Sequence, residues 1–250
     1  MRIFLTLFRR ELAALFLSVT GYVIIAAVAL LIGFSYNVLI TNLGTDPSPM
    51  PVTELFYQTF CFWVIVLLVT PVITMRLFAL EKFTGTFETL MTTSVTELQV
   101  VASKFAAAVV FYMVIWLPML VCLMVIRHYT NQPDSLDAGT IGGIYLGIFV
   151  TGCLFLSLGC FASSLTRSQM AAAMVSFVLG ISIFLLGFLA DAITKPSTWQ
   201  SRVLSSFNLF NQMHDFTRGT IDTRTIIFYA SLTFFFLFLT LRVVESRRWK

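Results

Sequence analysis

The chain has 250 residues, 58% of them hydrophobic and only 11% charged, with a mean hydropathy of +0.91 and a formal net charge of +4. Soluble domains carry roughly 25% charged residues, so the composition excludes an ordinary soluble enzyme and describes a chain built for lipid. The positive excess fits the cytoplasmic flanks of a membrane protein, and no basic, aromatic-interleaved stretch suggests a nucleic-acid partner.

Residues 1–17 read as an amphipathic helix, with Phe4, Phe8, Leu12, Leu15 and Phe16 on one side and Arg2, Thr6, Arg9 and Arg10 on the other. Such a helix lies in the membrane interface with its basic face toward lipid headgroups; the competing reading is the start of the first span. Arg9, Arg10 and Glu11 also interrupt any cleavable signal-peptide pattern. A helical crossing needs roughly 20 apolar residues. Six stretches meet that demand, about 19–40, 56–75, 105–126, 141–165, 170–190 and 226–244. The expected fold is an all-α polytopic membrane protein, one transmembrane domain over 1–250, with six membrane helices and an N-terminal interfacial helix.

Six spans put both termini on one side. With the N-terminus inside, the inner segments hold eleven of the sixteen Lys and Arg residues, and the outer segments hold Arg127, Lys195, Arg202, Arg218 and Arg224. The excess of positive charge favours N-in and C-in. Pro71 and Pro118 interrupt the second and third spans near their ends, where a lost backbone hydrogen bond kinks a helix. Gly143, Gly147 and Thr151 follow a small-xxx-small rhythm suited to close helix contact on the fourth span. The outer segment 191–225 carries Trp199, Val203, Leu204, Phe207 and Phe210 at near-helical spacing. It reads as short re-entrant helices before the last span; a solvated loop with aromatic anchors is the alternative.

No G-x-x-x-x-G-K-[ST] loop, HExxH or GxSxG occurs, so the sequence supports neither an ATP site nor a hydrolase of its own. His128 and His214 both fall in outer segments. Cys61, Cys122, Cys153 and Cys160 sit in apolar runs without a CxxC pair, and they read as small buried hydrophobes. Met119, Cys122 and Met124 could offer soft ligands to monovalent copper, but packing explains them as well. Central ionisable residues of the kind that mark ion-coupled transporters are missing from the spans. We therefore expect no catalytic residue, metal site or cofactor in this chain.

The segment 76–104 is the longest polar interlude of the first half. Gly85 suits the end of one helix, Thr86 the N-cap of another with Glu88 in its first turn, and Thr96 with Gln99 has capping-box spacing. The run Glu81-Lys82-Phe83-Thr84-Gly85-Thr86-Phe87-Glu88-Thr89-Leu90, followed by TSVTELQVVASKF, resembles the first cytoplasmic loop of type-2 ABC transporter permeases, most of all the gliding-motility permease group. His214, Phe216, Arg218, Gly219 and Asp222 before the last span, and the ending ESRRW, are similar to the same group. Ser94 stands where the family usually has Pro, and Ser103 where it usually has Gly.

The resemblance implies a permease subunit of an ATP-driven exporter in the bacterial inner membrane. A separate ABC ATPase subunit would bind ATP and Mg, and a second permease chain would complete the pore. It implies coupling contacts at Glu81, Lys82, Gly85, Thr86, Glu88 and Leu90. It likewise implies an outer gate segment with Phe207, Phe210, His214, Phe216, Arg218 and Gly219. The rival readings are a stand-alone secondary transporter or channel, and a membrane scaffold of envelope or motility machinery.

Overall fold

The computed structural model describes residues 2–45, 56, 60–86, 95–130, 138–193, 208–217 and 222–246. All regular structure among them is helical. In chain order the helices are α1 (Arg2–Phe16), α2 (Val19–Thr45), α3 (Phe60–Thr74), α4 (Ala79–Thr84), α5 (Glu97–Ile115), α6 (Leu117–Thr130), α7 (Ala138–Leu165), α8 (Gln169–Ile193), α9 (Leu209–Thr217) and α10 (Thr223–Ser246). Among the described residues, six segments are long and apolar enough to cross a membrane: 19–41, 61–84, 97–125, 139–165, 169–187 and 223–246. These correspond one for one to the spans expected from sequence.

The bundle is organised around α7. Its apolar window is 72% buried and that of the second span 67%, against 17% for the last span, so the second and fourth spans form the core. The last span turns most of its surface outward. Helices α3, α5, α8, α9 and α10 all pack on α7. Close approach is achieved by removing side chains. A Cβ on Gly152 would collide with the Tyr112 ring, and one on Gly159 with Thr74. Gly147 lies beneath Met213 and Phe216 of α9, so the Gly147–Thr151 seam serves packing.

The two prolines act differently. At Pro118 the third span breaks between α5 and α6, with Trp116 as the cap residue. Pro has no N–H to give and its ring crowds the preceding turn. The Tyr145 hydroxyl on α7 donates to the Trp116 carbonyl at the break, over 2.9 Å. Pro71 stays inside α3, where the Thr70 and Thr74 hydroxyls bond back to the carbonyls of Val66 and Thr70. The helix then ends in a tight turn, and Phe78 leads into α4. The third span begins at Glu97 rather than near residue 105. Its capping box is formed: Thr96 Oγ1 accepts from the Gln99 N–H, and Gln99 Oε1 from the Thr96 N–H.

Candidate functional site: a charged clasp at the α1 end of the bundle

The site is assembled from three helices that meet where α1, α4 and the start of α5 converge. Helix α1 lies along α5 with Leu7 and Glu11 buried, while Phe4, Phe8, Leu12, Leu15 and Phe16 are half-buried and Ile3, Leu5, Arg9 and Leu17 are exposed.

Lys104 projects from the second turn of α5 and is 1% exposed. Its ammonium lies 2.9 Å from Glu81 Oε1 on α4 and 3.1 Å from Glu11 Oε1 on α1. Arg10 Nη2 lies 2.8 Å from the same Glu11 oxygen and 3.1 Å from the same Glu81 oxygen. The four groups thus close a ring of alternating sign with no net charge. A buried charge is tolerable only when paired this fully. The Arg10 guanidinium is held above its ordinary pKa by its hydrogen bond to Glu11. Lys104 Nζ also stands 5.5 Å from the centroid of the Phe78 ring, an added cation–π contact. Glu81 Oε2 is buried and unbonded, so all the pairing of this carboxylate runs through Oε1.

Helix α4 and the end of α7 cap each other. Phe78 at the N-cap of α4 supplies no side-chain acceptor. Ser163 Oγ on α7 accepts from the N–H groups of Phe78 and Ala79, at 3.2 and 3.1 Å. In return Lys82 donates to the Ser164 carbonyl, one of the last carbonyls of α7, which have no partner within the helix. Arg76 ties the same corner to the start of α2 by donating to the Thr20 hydroxyl. The helix then stops at Gly85, whose φ of 73° is left-handed and favours glycine.

Of the residues named from sequence, Glu81 and Lys82 are therefore engaged within the chain. Gly85 and Thr86 are exposed, and Thr86 bonds back to the Glu81 carbonyl. Glu88 and Leu90 lie outside the described residues, as do Ser94 and the helix expected after Thr86. Sequence reasoning missed four contributors: Glu11, Lys104, Ser163 and Phe83. Phe83 is 77% exposed beside Gly85, an aromatic ring at the tip of α4.

The opposite end holds a second feature. Phe210 on α9 packs 5.1 Å from Trp63 and 5.4 Å from Phe184, centroid to centroid. From Trp63 the contacts continue through Phe62 to Trp116, so one aromatic cluster joins α9 to the second, third and fifth spans. Phe216 is buried over Gly147. His214 belongs to α9 by its backbone, and Phe207, Arg218, Gly219, Trp199, Val203 and Leu204 lie outside the described residues.

The family model described as "ABC-2 family transporter protein" matches residues 35–242. That range takes in four whole spans, most of the last one, the α4 corner and α9. Comparison with curated proteins gives no match.

Proposed function

The chain belongs to the ABC-2 transporter family, whose membrane-spanning permease subunits usually work with an ABC ATPase, and on that premise we propose that it is the force-receiving half of an ATP-driven exporter. A separate ATPase subunit binds ATP and Mg and docks on the α4 tip, where Phe83, Gly85 and Thr86 are exposed. Glu88 and Leu90, next along the chain, complete the contact. Glu81 and Lys82 act from behind the tip as struts. Movement of α4 is passed to the third span through Lys104, to α1 through Glu11 and Arg10, and to the fourth span through Ser163 and Lys82.

At the other end, α9 is the outer gate, held shut by Phe210 against Trp63 and Phe184. Tilting of the second and third spans parts these rings. A second permease chain completes the path. The N-in, C-in orientation in a bacterial inner membrane is supported by the distribution of Lys and Arg, eleven of sixteen on the α1 side. Helix α1 rests in the lipid interface with Ile3, Leu5, Arg9 and Leu17 outward. The motif through Glu81, Gly85, Thr86 and Glu88 supports the gliding-motility group within the family.

The observation that carries this reading is the family match over 35–242, which includes the α4 corner. Purification of the tagged chain from its own membrane in mild detergent tests it. A P-loop ATPase should co-purify in stoichiometric amount and be lost with Phe83→Asp while the permease still elutes as before. A chain that carries substrate alone, without nucleotide or ATPase, would overturn the reading.

A further inference from the structure

The third span is one crossing by length, 97–125, yet its two parts are held by different neighbours. Helix α5 lies along α1, packs on α7 and α10, and is fastened near its start by the Lys104 ion pairs. Beyond the break α6 packs on α2, burying Met119 and Leu123 and turning Val121 and Met124 outward. The joint between the two parts is a single residue. Trp116 is fully buried there, its ring 5.3 Å from Phe62 and 6.1 Å from Tyr112, centroid to centroid. The pivot is thus pinned in the aromatic cluster while the segment beyond it is not.

The backbone at the joint is made to bend. Pro118 offers no N–H to the preceding turn. The bonds across the joint are of the shorter, three-residue kind: Trp116 N–H donates to the Met113 carbonyl and Met119 N–H to the Trp116 carbonyl, each over 3.2 Å. A 3₁₀ turn inside a long helix often marks a hinge. A side-chain bond ties the joint to the core, from the Tyr145 hydroxyl on α7 to the Trp116 carbonyl at 2.9 Å. That carbonyl keeps the Met119 N–H when Tyr145 lets go, so release strands no backbone acceptor. We propose that α6 is a hinged flap, swinging about Trp116–Pro118 relative to α5 and α7, and that Tyr145 is its latch. Met124 lies about 12 Å along the helix from Trp116 at 1.5 Å per residue. A swing of ~20°, the onset of a sharp kink, moves it by about 4 Å. The hinge is independent of the ATPase reading, since it follows from the packing and hydrogen bonds of this chain alone.

The test places nitroxides on Met124→Cys and Leu185→Cys of the full-length chain in phospholipid nanodiscs, with the four native cysteines replaced by alanine. Both positions are exposed, Met124 on the flap and Leu185 on α8. Pulsed electron resonance reads the distribution of distances between them. Tyr145→Phe should raise the ratio of displaced to parent distances about fivefold, equivalent to ~1 kcal/mol, the net worth of one hydrogen bond. Adding Pro118→Ala restores the missing N–H and should return the distribution to a single population. A second pair, Val110→Cys with Leu185→Cys, has its first label on the α5 side of the hinge and should stay unmoved in every variant. A Met124–Leu185 distribution unchanged by Tyr145→Phe would overturn the proposal. A displaced population that survives Pro118→Ala would overturn it too, as would equal broadening of the Val110–Leu185 pair, which means general loosening.

Discussion

Lys104 and Glu81 face each other across 2.9 Å, Glu81 in the last turns of the second span and Lys104 near the start of the third. They stand 23 positions apart in the chain, but the ion pair joins α4 to α5 directly. Because Lys104 also reaches Glu11, one ammonium fastens three helices. Lys104→Met leaves two carboxylates without their buried cation, and breaking such a pair costs about 3–5 kcal/mol. We expect a clear fall in the melting temperature of the purified chain. The added change Glu11→Gln should recover part of it, because one uncompensated charge is then gone.

Ser163→Ala removes the acceptor for two N–H groups at the head of α4. An unsatisfied buried donor costs about 1–3 kcal/mol. The expected signature is local: faster hydrogen exchange at Phe78 and Ala79, with exchange in the middle of α7 unchanged. Ser163→Thr keeps the hydroxyl and should restore slow exchange.

These two predictions also separate what sequence reveals from what it conceals. The spans, the break near Pro118, the stop at Gly85 and the Thr96–Gln99 capping box depend on residues close together along the chain, and each was legible. The partners of Lys104 were not. Glu11 read only as a charge that interrupts the apolar residues near the N-terminus, and Glu81 as a contact for another protein, because nothing local says that α1 folds back onto α5. Lys104 read as a flank of the third span, since a charge at a helix end is ordinary; its burial comes from α1 covering it. Ser163 is one hydroxyl in an apolar run, and its role as a cap depends on a helix from elsewhere in the chain. Phe83 fell between the charged positions of the loop motif, and only the turn of α4 puts its ring outside.

Gly159→Val should disrupt the bundle at the contact of the second and fourth spans, where the new side chain would meet Thr74. Overpacking of this kind costs about 1–3 kcal/mol, occasionally more. Gly33→Val is the control, since nothing lies within 4 Å of a Cβ at Gly33. The first variant should lose most of its monodisperse yield on size exclusion, and the second should match the parent chain.

At Gly85 the strain is in the backbone. The positive φ of 73° costs an ordinary L residue about 1–2 kcal/mol, while Asn tolerates it better. Gly85→Ala should therefore weaken the α4 tip and lower ATPase capture, with the overall melting temperature little changed. Gly85→Asn should capture better than Gly85→Ala.

The central claim is that motion received at α4 passes through Lys104 to open the α9 end. The most direct test follows a single thiol, Phe210→Cys, with the four native cysteines replaced by serine, in membranes that contain the partner ATPase. Its rate of modification by a membrane-impermeant maleimide is measured with and without ATP. In the presence of Lys104 the rate should rise on adding ATP. With Lys104→Met the rise should vanish while the ATPase stays bound and continues to hydrolyse. An ATP-dependent rise that survives Lys104→Met unchanged would contradict the account.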